Sequence, residues 1–479
     1  MKASYRLIRE APRLPIRQSW TLTKMQVRMN SLMRRVLGWV LPALLLAACA
    51  PDPGDRIFPY PYQVSDLDNG LRVVTVETGY PEVLALYIVV NVGSGNEVEP
   101  GRTGFAHLFE HMMFRGTKNF PPERWEAIMQ DAGAETNAYT SDDRTVYHAV
   151  FSKEDLEPIL ELEADRFRNL EYSEEVFRTE TRAVLGEYNK NFANPMRKLD
   201  EIVRKTAFTK HTYRHTTMGF IEDVENMPAM YDYGLKFFDR YYRPEYTTVC
   251  IVGDVPEDAL SLVRKYWGGW ERGSYEPEIP VEPPQDGPKT VDEGFHTPTL
   301  PIVAVSYHAP AYDDEVNDSA VLDVISYYAF SENSDLYKKL VVEEQKVDAM
   351  FPAYYDHRDP YLFSVVARVK EAKDTGYVRD RILAAIEQLR DEPVPAQPLE
   401  DVKSHLRYDF ALSMNSTPAI ASTLAHFVNM RGSPETINKR YALYQGVTAA
   451  DVQRVAKQVF VEDERTIATL RHDPQGGAD

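Results

Sequence analysis

The chain has 479 residues, a formal net charge of −19 and 43% hydrophobic residues, which is long for one domain, comfortable for two, and ordinary in apolar content. So acidic a chain, with no basic stripe, excludes nucleic acid as an expected partner. Only Cys49 and Cys250 are present, so no disulfide framework is expected.

Residues 1–48 set nine Lys and Arg against the single acidic Glu10. Arg34-Arg35 followed by the apolar run 36–47 has the form of a secretory signal and is too short for a comfortable permanent membrane span. It ends in Leu46-Ala47-Ala48-Cys49, which resembles the bacterial lipoprotein box. That resemblance implies a lipidated Cys49, a tether over 49–60, and a body held at the outer membrane facing the periplasm, touching membrane only through the lipid. A signal peptide cut after a small residue is the alternative. Whether Met1, Met29 or Met33 starts the chain stays open.

The first globular domain is expected over 61–272. Asp68-Asn69-Gly70 signals a hairpin turn, and 71–76 and 83–92 read as strands. Gly93-Ser94-Gly95 then turns the chain toward Gly104-Phe105-Ala106-His107-Leu108-Phe109-Glu110-His111-Met112-Met113-Phe114. On a helix His107 and His111 lie one turn apart and Glu110 shares their face, while the apolar neighbours leave almost no polar side. Polar groups in such a place need a partner, and a divalent cation held by two neutral imidazoles would be one, zinc being usual for His and carboxylate ligands. Taken alone, the pentad also fits a buried helix with two incidentally paired histidines.

A strand over 145–151 follows, then helices over 156–170 and 173–191, the latter with Ser173 as N-cap. Glu180 and Glu187, seven apart, share a face of that second helix. A helix over 227–242, a buried strand around Cys250 and a helix ending at Trp267 close the domain. Cys250 reads as core, His211 and His215 as loop residues, and His148 as structural. Prolines crowded between 276 and 288 mark a stiff linker, placed at 273–293. The second domain is expected over 294–472, with a tail at 473–479. Its strands fall at 302–307, 362–369 and 466–470, and its helices near 319–329, 335–345, 377–390, 399–415 and 448–459.

His-x-x-Glu-His is the inverted zinc-protease motif, in which the Glu takes a proton from the attacking water while the histidines hold metal. Followed some 75 residues later by Glu-x-x-x-x-x-x-Glu, it resembles the M16 metallopeptidases, the pitrilysin, insulin-degrading and mitochondrial-processing-peptidase group. The resemblance implies Zn2+ on His107, His111 and Glu187, with Glu110 and Glu180 as catalytic residues, Glu110 the general base and Glu180 supporting a ligand. It implies an α+β fold of two related domains, each an antiparallel-rich sheet covered by helices, facing each other across a cleft. Asn137-Ala138, in a segment that also resembles this family, would lie on an edge strand that receives substrate backbone; a turn role for Asn137 is the alternative.

The implied activity is zinc-dependent endopeptidase action on peptides or unfolded segments. No zinc motif occurs in the second half. Many relatives carry there an Arg and a Tyr seven apart, and the positions that match by pattern hold Val341 and Asp348, neither of which can donate to a carbonyl when Asp is ionised. The expectation is a zinc-bearing subunit whose partner, a second M16-like chain or a second copy, supplies Arg and Tyr. A noncatalytic binding, assembly or chaperone subunit is the alternative.

Overall fold

A computed structural model describes residues 56–475. The leader, Cys49 and the last residues of the tail lie outside them. Strands β1 (Tyr62–Asp66), β2 (Arg72–Glu77), β3 (Val83–Val90), β4 (Glu135–Thr140), β5 (Thr145–Ser152) and β6 (Thr247–Gly253) form a six-stranded sheet in the order β1-β2-β6-β3-β5-β4. Strands β7 (Lys289–Phe295), β8 (Ile302–Ala309), β9 (Val347–Ala353), β10 (Tyr361–Val369) and β11 (Arg465–His472) form a second sheet, β7-β11-β8-β10-β9. All neighbours are antiparallel except β2–β6 and β7–β11. Laid over one another, β2 to β6 and β7 to β11 therefore trace the same path, and the chain is two copies of one α+β unit. β4 and β9 are edge strands at equivalent places.

In the first unit α1 (Phe105–Met112) and α2 (Pro122–Asp131) stand between β3 and β4. After β5 come α3 (Leu156–Asn169), α4 (Glu174–Phe192), α5 (Pro195–Ala207), α6 (Ile221–Asn226) and α7 (Tyr231–Tyr241), and α8 (Ala259–Trp267) follows β6. The second unit carries α9 (Asp318–Ile325), α10 (Asp335–Tyr337), α11 (Thr375–Asp391), α12 (Ala396–Ser413), α13 (Thr417–Arg431), α14 (Glu435–Gly446) and α15 (Ala449–Val459). Residues 270–288 hold neither helix nor strand, yet Glu282 pins this connection by accepting backbone N–H bonds from Thr209, Lys210 and His211 at 2.7–2.8 Å.

The two units interlock by lending each other a helix. One face of the first sheet packs on its own helices, and the other, through Val74, Ala85, Val89 and Val252, receives Ile420, Leu424 and Val428 of α13. Reciprocally, Leu199, Ile202 and Val203 of α5 cover Ala304, Leu362 and Val366 of the second sheet. Burial on both faces is why β3 and β6 read as continuous apolar runs rather than alternating ones. Cys250 lies in that layer, its thiol pushed up to about 12 by burial, as its core reading requires.

Sequence patterning misses α2, α5, α6, α13 and α14 and strands β1, β7 and β9, and misjudges one helix; β7 begins at Lys289, inside the linker expected over 273–293. Over 335–345 only α10 is α-helical; Lys338–Glu343 widens into a π-type turn, and Gln345 adopts φ +52°, which ends it.

Candidate metal centre and active site

Helix α1 is held from both ends. Phe105 packs edge-on against Tyr233, Phe109 stacks on Phe237, and the Phe109 carbonyl accepts from Tyr147 at 3.2 Å. Its N-terminus has no cap of its own, because Gly104 sits in the left-handed region at φ +89° and a Cβ there would lie 2.8 Å from the Met218 carbonyl. The cap comes from Glu97, whose two carboxylate oxygens accept from Gly104 N and Ala106 N at 2.7 Å each. Burial pushes Glu97 up to about 8, against the pull of those N–H groups.

On the face so fixed, His107, Glu110 and His111 project together. Helix α4, capped by Ser173 Oγ accepting from Val176 N, crosses α1 and brings Glu187 opposite them. Glu187 Oε2 lies 3.4 Å from His111 Nε2 and 3.7 Å from His107 Nε2, and one ligand atom from each of the three residues falls within 4.8 Å of the others. Among the described residues this is the one such group of three or more ligands. None of these contacts is a hydrogen bond, and His107 Nδ1 is buried with no partner. Two imidazoles and a carboxylate turned on one point without bonding to each other form a donor set that fits a divalent metal. Burial first, and His111 second, bring the His107 pKa down to about 4, so its ring is neutral and able to ligate near neutral pH.

The face is not closed, although its apolar neighbours predict burial all round. The His111 side chain is 25% exposed and that of Glu187 38%, so the centre is open to solvent. Glu110 is raised by burial, and Thr140 Oγ donates to its Oε2 at 2.7 Å. Glu180, two turns before Glu187, is buried; Arg115 grips both of its oxygens at 3.0 Å, and one of them lies 3.9 Å from His111 Nδ1. β4 pairs only with β5, so its other edge is free among the described residues. On it Ala138 is buried, while Asn137 is exposed with its side-chain oxygen accepting from Ala138 N at 2.9 Å.

Thr140, Arg115 and Glu97 escaped the sequence reading. Only Arg115, a charge four residues past His111 in an apolar stretch, carried a local signal. His211 and His215 flank a short turn and form no metal group, and His148 stacks on Tyr87 at 4.8 Å.

Residues 72–220 match the model of the insulinase family, peptidase family M16, and residues 232–406 that of the peptidase M16 inactive domain. The chain belongs to the M16 peptidase family. It is 28% identical to the zinc protease PqqE of Helicobacter pylori, over 91% of this chain and 98% of that one. It is 24% identical to the probable mitochondrial-processing peptidase subunit beta of Schizosaccharomyces pombe, over 85% of this chain and 91% of that one. A crystal structure of a protease from Helicobacter pylori superimposes with a TM-score of 0.80 at 26% identity, covering 86% of this chain and 99% of that one. Where α1 carries imidazoles in the first M16 unit, α9 of the second carries Asp323, paired with the buried Arg440.

Proposed function

We propose that the protein is a zinc endopeptidase that cuts peptides or unfolded segments lying along β4. The observation that carries the reading is the convergence of His107, His111 and Glu187 beside a buried carboxylate, Glu110, next to a free strand edge. His107, His111 and Glu187 would hold the metal. Zinc bound there supplies a Lewis acid that polarises the peptide carbonyl and acidifies water. Glu110, raised by burial toward working pH and aimed by Thr140, takes the proton of the attacking water and returns it to the leaving amine. Glu180, gripped by Arg115, steadies the His111 ring from its far side. The edge of β4 offers unpaired backbone groups to an extended peptide.

We further propose that a partner completes the site. Val341, packed against the second core, has no donor, and Asp348 accepts from Arg368 at 2.6 Å as a carboxylate, so neither side chain can donate to a carbonyl. The yeast relative is named as a subunit, which fits such an arrangement. The lipoprotein-type leader supports a periplasm-facing position at the outer membrane, and loss of membrane association in a Cys49→Ser variant is its test.

For the activity, cleavage of an unstructured peptide should stop on chelation and return with zinc. Glu110→Gln should bind zinc normally and lose at least about 100-fold in turnover. Undiminished turnover in Glu110→Gln would refute the reading. Cleavage by the chain alone at a rate no second M16-like chain raises would refute the partner.

A further inference from the structure

A cavity of about 610 Å3 opens where β4 ends, between residues 141–144 of the β4–β5 turn, α5 and the α5-facing side of the second sheet. That volume suits several atoms of a bound side chain or chain end. It begins one residue past Thr140, whose hydroxyl touches Glu110, so a peptide laid along the free edge of β4 across the metal centre runs into it. Leu199, Val203, Ala304, Phe351, Leu362 and Val366 supply apolar wall.

The charges around it are unevenly matched. Asp142 has Arg204 at 2.8 Å and His357 at 3.1 Å, Asp200 has Arg204 at 3.1 Å, Asp356 has Arg440 at 3.0 Å, and Asp143 faces Arg358 at 3.8 Å. Each acid on the wall thus has a basic neighbour, although Arg204 is shared by Asp142 and Asp200, Arg358 by Asp143 and Asp359, and Arg440 by Asp356 and Asp323. Arg144 and Arg197 also line the cavity, and among the described residues neither is ion-paired. Arg144 Nε is buried without a partner, and its guanidinium lies 5.8 Å over the ring of Tyr139 on β4. A half-buried guanidinium with an unused donor costs desolvation until an anion fills it.

We propose that this cavity is a subsite for a carboxylate of the bound peptide, an acidic side chain or a free C-terminus, gripped by Arg144 and Arg197. The planar donor forks of two arginines match a carboxylate in geometry and charge. The proposal rests on the peptidase reading, since it takes β4 as the substrate track. It also reverses what net charge suggests: a chain at −19 attracts basic peptides from a distance, but the side chains left without an ion-pair partner on this wall are the two arginines.

The test measures binding apart from cleavage. Fluorescence anisotropy with the Glu110→Gln chain, zinc-loaded, would compare unstructured peptides of about twelve residues in which one Asp or Asn is walked along the sequence, each made as C-terminal acid and amide. A side-chain site predicts about tenfold tighter binding for Asp than Asn at one position; a terminus site predicts the same for acid over amide. Either ratio should fall to about one in R144Q/R197Q and stay intermediate in R144K/R197K, which keeps the charge and loses the fork. Equal binding throughout, no binding, or a ratio unchanged in R144Q/R197Q overturns the proposal. If the ratio is found but the wild-type chain cleaves nothing, alone or with a second M16-like chain, the subsite stands and the peptidase reading falls. If it cleaves with no charge preference in binding, the reverse holds.

Discussion

Glu180 shows how much of the centre depends on residues that do not touch the metal position. Its oxygens are fully engaged by Arg115, and one lies within 4 Å of His111 Nδ1, where it favours the tautomer that turns Nε2 toward Glu187. Glu180→Gln keeps shape and loses that charge. Zinc affinity, measured by chelator competition, should fall about 10- to 100-fold with little change in melting temperature. An unchanged affinity would leave Glu180 a structural group only. Glu180 and Glu187 were legible in the sequence because a seven-residue spacing puts two carboxylates on one helix face. Arg115 and Thr140 were not, since both reach the centre only after β4 and α4 have folded against α1.

At the scale of the element, α1 is a short helix whose start is set by a carboxylate seven residues upstream of its N-cap. The raised pKa of Glu97 means the folded chain binds its proton more tightly than the unfolded chain does. Stability from this group therefore falls as pH rises from about 4.5 toward about 8, and that slope should vanish in Glu97→Gln. Glu97→Ala, which strands two buried N–H groups, should cost about 2 kcal/mol in denaturant unfolding. A pH slope unchanged in Glu97→Gln would contradict this account. Helices α1 and α4 were readable because apolar or carboxylate spacing follows one face. Helix α13 was not: sheet on one side and its own unit on the other bury it nearly all round, which erases the polar stripe that patterning needs. The interrupted helix after α10 failed for a different reason, since nothing local distinguishes a π-type turn from a regular one.

For the whole molecule, the repeat of strand order makes two units, and the exchange of α5 and α13 makes them one body. A buried ion pair joins them at the turn after β4: Asp142 of the first unit accepts from Arg204 and from His357 of the second. Burial alone would raise Asp142, but Arg204 and His357 outweigh it and hold the carboxyl well below its usual range. Burial would lower His357, and Asp142 outweighs that to raise it above 6.5. The Asp142 contribution is thus complete above about pH 3.8 and lost as pH falls through its folded pKa. The His357 contribution is complete below about pH 6.5 and lost as pH rises through its folded pKa. Asp142→Asn leaves Arg204 and His357 facing each other without their shared anion, and should cost about 3–5 kcal/mol in denaturant unfolding. A loss under about 1 kcal/mol would mean that the apolar exchange of helices alone joins the units. This pair could not be read from the chain, because its partners lie 215 residues apart and become neighbours only when the two units close.

Everything proposed for the activity turns on three side chains from two helices meeting one cation. X-ray absorption at the zinc edge, on the purified zinc-loaded chain, measures that directly. The account predicts one zinc per chain with two imidazole nitrogens and a carboxylate oxygen at about 2 Å, and loss of tight zinc in Glu187→Gln. Full zinc with an unaltered spectrum in Glu187→Gln, or a metal shell without two imidazoles, would contradict it.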